Sequence, residues 1–223
     1  MGEGEGLPPV FYHWRFSVGS RQRWLVRGAI AVAVAGFIGT SAFLWGREQG
    51  RRPSPLPVYG SVPDFELTER SGRTVRLADL KGHLWIADFI FTSCAGPCPM
   101  LSQQMSGFQT ALTRAPEVRL VSFTVDPERD TPEVLSEYAE RYRADRERWL
   151  FLTGERKTVY RLIREGFRLT VGEVPEDDGQ ILHSLRFALV DRAGQVRGYY
   201  NGDDPESLRR LLPDVDRLLR ERA

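Results

Sequence analysis

The chain has 223 residues, 41% of them hydrophobic, 27% charged and 11% aromatic. That is the make-up of a globular protein long enough to bury a core, and it excludes wholesale disorder, a multi-span membrane protein and a disulfide-stapled miniprotein. The net charge of +1 hides an asymmetry: seven of the 31 basic and three of the 30 acidic residues precede Gly60, so the first part carries +4 and the rest −3. No basic stripe is available in the later part to follow a phosphate backbone, and nucleic acid is not an expected partner.

Nineteen residues from Gly28 to Gly46 contain no ionisable group, a length that at ~1.5 Å per residue nearly crosses a hydrocarbon core of about 30 Å. Trp24 and Trp45 stand near its two ends, where indoles favour the headgroup region. The spacing predicts a transmembrane anchor over 28–46 after an N-terminal tail, 1–27. Four arginines before the span against three after it nearly tie the orientation, and the cysteine pair beyond it, suited to an oxidising compartment, favours a cytoplasmic tail. The run is long for a signal peptide, and no A-x-A site follows it. Residues 47–59, with Pro53, Pro55 and Pro57, read as an extended spacer. The folded domain is expected over 60–223, able to fold alone.

Phe65–Leu67 and Thr74–Leu77, either side of Ser71-Gly72, read as a hairpin. Leu84–Thr92 is almost continuously apolar and predicts a buried central strand. Leu101, Met105, Phe108 and Leu112 form one stripe of a following helix, and Val118–Val125 is again a strand. Thr131 as cap, Pro132 at the first helical position and Glu133 at the positive end announce the next helix, with Leu135, Tyr138, Ala139 and Tyr142 on its buried face. Trp149–Leu152 reads as a strand and Thr158–Arg164 as a short helix. Ile181–Val190 and Gln195–Tyr200 form a hairpin around Arg192-Ala193-Gly194. Pro205–Leu219 is an amphipathic closing helix through Leu208, Leu211, Leu212, Val215 and Leu219. Strand and helix in alternation, with hairpins at both ends, predict an α/β sandwich around a mixed sheet.

The chain has two cysteines, Cys94 and Cys98, directly after the apolar strand, where open α/β sheets place their chemistry. Pro99 suits a first helical position, which makes Cys98 the expected N-cap, with its thiol pKa lowered by the helix dipole. A C-x-x-x-C loop brings two sulfurs close enough for a disulfide or a shared soft metal ion such as Cu(I). A passive bridge here would close almost no loop and contribute little. Two thiolates alone make a weak zinc site. Of the three histidines, His13 precedes the anchor and His83 lies in a turn before the central strand, which leaves His183 as a third-ligand candidate. A lone histidine on a strand is nonetheless more often a core residue bonded to backbone.

Phe89-Ile90-Phe91-Thr92-Ser93-Cys94-x-x-x-Cys98-Pro99, then Val125-Asp126-Pro127-Glu128-Arg129-Asp130-Thr131-Pro132, then His183-Ser184 before a strand ending in Asp191-Arg192-Ala193-Gly194, resemble the Sco/SenC family in content and order. The resemblance covers roughly Ser61 to Leu212. It implies a thioredoxin-like fold and a membrane-tethered domain facing the periplasm. It also implies copper held by Cys94, Cys98 and His183, and a role in assembling the copper centre of cytochrome c oxidase. The implied partners are the copper-binding subunit of that oxidase and a periplasmic copper donor or thiol reductant. The family usually carries Asp immediately before the histidine, whereas this chain has Leu182, so a carboxylate acting on the imidazole must come from elsewhere.

Other residues carry two readings each. Asp88, a charge inside an apolar strand, either tunes the cysteine pair or is a hydrogen-bonded structural residue. Asp126 supports the site or shapes a turn. Glu173–Asp178 reads as a solvated loop, while Met100 and Met105 offer thioethers, with Met105 placed in the core by its spacing. The leading expectation is a metallochaperone. A thiol:disulfide oxidoreductase using Cys94 and Cys98 as catalytic thiols, with no need of His183, is the alternative, and a one-cysteine peroxidase a distant third.

Overall fold

In a computed structural model, residues 20–49, 54–169 and 185–221 are described. The chain divides into two compact units, Met1–Ser54 and Pro55–Ala223. The described part of the first is one helix, α1 (Ser20–Gln49), on which Val32, Phe37 and Ile38 are exposed. Among the described residues no helix is long and apolar enough to cross a membrane, so the anchor over 28–46 rests on the sequence.

In the second unit the elements run β1 (Gly60–Ser61), β2 (Glu66–Glu69), β3 (Thr74–Arg76), α2 (Leu77–Leu80), β4 (Trp85–Ile90), α3 (Cys98–Ala111), β5 (Arg119–Thr124) and α4 (Pro132–Arg141). They continue with β6 (Trp149–Thr153), α5 (Arg156–Arg161), β7 (Arg186–Val190), β8 (Gln195–Asn201) and α6 (Pro205–Arg220). One sheet holds all eight strands in the order β1-β8-β7-β4-β5-β6-β2-β3. β4 pairs parallel with β5, and β5 with β6; every other pairing is antiparallel. The mixed α/β sheet expected from the sequence is therefore present.

Every residue of β4 is buried, as its unbroken apolar run requires of a strand covered on both faces. On one face Trp85, Phe89 and Phe123 meet Phe65 and Phe167; Phe89 stacks on Phe123 at 5.5 Å and meets Phe167 edge-on at 5.0 Å. On the other face Phe187 takes the edge of Phe108 from α3, and Phe151 packs on Tyr138 from α4. Asp88 and Ser122, paired in register, point to this second face.

α4 begins as its sequence predicts: Thr131 caps it by accepting from Val134 N–H, and Pro132 opens the first turn. In the β7–β8 hairpin one oxygen of Asp191 accepts from Ala193 and Gln195 N–H, and Gly194 takes φ +80°, a conformation that suits a residue without Cβ. Two elements were not foreseen. Leu77 opens the single turn α2 rather than ending a strand, because Asp79 accepts from Arg76 N–H. β1 pairs two residues with β8 through the backbone.

The residues read as the end of the spacer are fastened to the second unit. Leu56 is buried, its carbonyl and that of Pro57 accept from Arg197, and Tyr59 N–H donates to Val196 O at 2.9 Å. A fragment starting at Pro55 is therefore expected to unfold at higher urea concentration than one starting at Gly60. The difference should be about 2 kcal/mol, the scale of one buried leucine side chain. Equal midpoints would show that this attachment contributes nothing.

Candidate metal and thiol site

β4 and β5 run side by side and end at the same edge of the sheet, so the loops that follow them, 91–97 and 125–131, are neighbours. Cys94 sits in the first loop, its amide donating to Phe91 O at 3.3 Å. Cys98 is the first residue of α3. Both are reduced and buried, with 8% and 3% of their surface exposed. The two thiols are neighbours.

Two details of the expectation are corrected. The N-cap of α3 is Pro97, not Cys98, because the fixed proline φ of −78° already suits the helix and Pro99 falls one position deeper, where an absent N–H still costs nothing. Nor is the Cys98 thiol acidified. Burial, followed by its bond with Cys94, pushes its pKa up to about 12. Removing a thiolate from water outweighs what a helix end supplies. Cys98 therefore rests as a protonated thiol, and a ligand that takes its thiolate must displace a proton.

Three acids lie on β4 and on the 125–131 loop. Asp130 is wholly buried and accepts from Thr92 N–H at 3.1 Å and from the hydroxyls of Thr92 and Thr124. Asp126 shapes the turn, its carbonyl accepting from the amides of Arg129 and Asp130. Its carboxyl pKa is raised, chiefly by burial and against the pull of Arg129 at 3.6 Å. With Glu128, Arg129, Arg156 and Tyr160 it lines a small polar pocket. Asp88 is fully buried beneath α3 and α4, and burial pushes its pKa up to about 7. Neither of its oxygens has a partner at hydrogen-bond length. Ser122 beside it tends to lower the pKa; that hydroxyl also accepts from Trp149 Nε1–H at 2.9 Å.

Met105 is wholly buried and Met100 is exposed. His83 turns Nδ1 to Glu117 O at the far end of β4. His183, Leu182, His13 and the Glu173–Asp178 run lie outside the described residues. Among the described residues no group of three or more His, Cys, Asp or Glu is placed to hold a metal; the donors brought together are the two thiols. The grip of Asp130 on Thr92 was not foreseen, since an Asp directly before Thr131-Pro132 reads as part of a helix start.

Residues 57–220 match the SCO1/SenC family model. The chain belongs to the SCO1/SenC family. A SCO1 protein homologue of Bacillus subtilis is 35% identical over 161 residues, covering 71% of this chain and 83% of that protein. Among solved structures, BsSco, described as having a disulfide switch and as a member of the Sco family of cytochrome c oxidase assembly proteins, has 32% identity. It superposes with TM-score 0.64, covering 76% of this chain and all of that one. ScoI of Bradyrhizobium japonicum, solved with copper bound, has 27% identity and TM-score 0.56, covering 69% and 99%. The thioredoxin-like α/β fold implied by the resemblance is shared with these SCO1/SenC structures.

Proposed function

We propose that this SCO1/SenC chain is a copper metallochaperone, anchored by residues 28–46 with its folded unit in the periplasm, that helps assemble the copper centre of cytochrome c oxidase. The reading is carried by two free thiols meeting, buried, at the strand ends of a chain in this family. Two sulfurs shielded from water suit a soft d¹⁰ ion such as Cu(I), and His183 would supply an imidazole as third donor in trigonal geometry. The copper-bound relative and the assembly role described for BsSco support the same reading. Membrane attachment is supported by the uncharged run from Gly28 to Gly46 and the exposed apolar side chains of α1.

Competition with a Cu(I) chelator under anaerobic conditions tests it. The full chain is expected to hold one ion; Cys94→Ser and Cys98→Ser are each expected to abolish retention, and His183→Ala to weaken it about tenfold. Retention should weaken as pH falls, because protons compete for the sulfurs. A second reading, a thiol:disulfide oxidoreductase acting on the cysteines of the acceptor site, is favoured by the same two thiols and by the disulfide switch of BsSco. It takes over if His183→Ala and wild type hold copper equally and reduction of a peptide disulfide is fast.

A further inference from the structure

Asp130 joins the two loops that flank the thiols. It is a fully buried carboxylate, and all the hydrogen bonds described for it come from neutral donors: the amide and hydroxyl of Thr92 and the hydroxyl of Thr124. Thr124 Oγ1 in turn accepts from Asp126 N–H at 3.0 Å. One carboxylate therefore ties the end of β5 to the residue two places before Cys94.

The attachment falls at the start of a loop with three exposed residues. Ser93, Ala95 and Gly96 are exposed. The described fastenings of the segment are the Cys94 amide to Phe91 O and the Thr92 bonds to Asp130. Cys98, by contrast, is fixed by α3. The Thr92 anchor is thus one of the ties that set the position of one sulfur relative to the other.

We propose that Asp130 is a positioning residue for the thiol pair: through Thr92 it holds Cys94 at the distance from Cys98 that disulfide closure and two-sulfur binding of Cu(I) both need. The copper half rests on the function proposed above; the disulfide half does not. Such pre-positioning raises the effective concentration of one thiol at the other, and a loosened anchor forfeits it.

The test is the equilibrium of the full-length chain in detergent with glutathione. Closing the Cys94–Cys98 bond releases two electrons and two protons, and oxidised glutathione takes up both, leaving as two thiols. Thr92→Val and Asp130→Asn are expected to keep cooperative thermal unfolding while lowering the equilibrium constant for closure about tenfold or more. Thr92→Ser, which keeps the hydroxyl, should stay within about twofold of wild type. A folded Thr92→Val chain with a wild-type constant overturns the proposal, as does Thr92→Ser failing as badly as Thr92→Val. If Asp130→Asn does not fold, Thr92→Val decides alone. Should wild type retain no Cu(I) while the glutathione series behaves as expected, the copper function falls and the positioning role stands.

Discussion

Replacing Asp88 with asparagine is expected to make the chain more stable relative to wild type at pH 8 than at pH 4.5, by about 3 kcal/mol. The figure follows from a carboxyl pKa of about 7 when folded against an ordinary value of 3.8, at about 1.4 kcal/mol for each pH unit between about 4.5 and the folded value. A folded pKa above the unfolded one means that the native state binds the extra proton between those two values. Wild-type stability therefore falls as pH rises from about 4 to 7 and levels off above. Asparagine cannot ionise, so the variant escapes that loss. Urea unfolding of both proteins, reduced throughout and kept below pH 8.5 so that Cys98 stays protonated, gives the comparison. Parallel stability curves for the two proteins would mean that water or a rearranged Ser122 hydroxyl solvates the Asp88 carboxylate.

The second large effect is expected at Arg197. Its guanidinium is about nine-tenths buried and reaches Asp191 at 2.8 Å, Glu221 at 3.1 Å, and the carbonyls of Leu56 and Pro57 at 2.7 and 3.2 Å. Arg197→Met keeps the packing of the stem but leaves Asp191 and two carbonyls without that donor. Breaking a buried pair in this way costs about 3–5 kcal/mol. Moreover, the variant should erase most of the difference between fragments starting at Pro55 and at Gly60, because the attachment they differ by is the one removed. A loss below about 1 kcal/mol, or a start-site difference that persists unchanged, would show that hydrophobic contact of Leu56 carries the attachment instead.

Much of the fold was legible because it rests on local chemistry. The apolar run of β4, the cap and proline of α4, the stripe of α6 and the glycine turns of both hairpins each state their structure in a few neighbouring residues. β1 was not legible, since two residues joined to β8 by backbone bonds leave no side-chain pattern. The place of the cysteines was legible and their ionisation was not. Proximity to a helix start is written in the sequence, whereas the burial that holds the Cys98 proton comes from residues distant in the chain. The same holds for Asp88: an odd charge in an apolar strand is visible, but the lack of partners for both oxygens is settled only when β5, α3 and α4 close over it.

Arg197 has one more consequence. Through it the first residues of the second unit and Glu221, near its last, are fastened to a single side chain. Val196, β8's partner for Gly60, pairs in turn with Val190, and Val190 with Trp85 at the start of β4. The cysteine loop follows the other end of β4, six residues or about 20 Å along the strand. The start and the described end of the second unit are thus gathered at one pole of the sheet, and the cysteine loop lies at the opposite pole. A fusion partner or surface linker joined at either end of the second unit would lie far from the cysteine loop, and joining those two ends with a short peptide would permit new ends to be opened elsewhere in the domain.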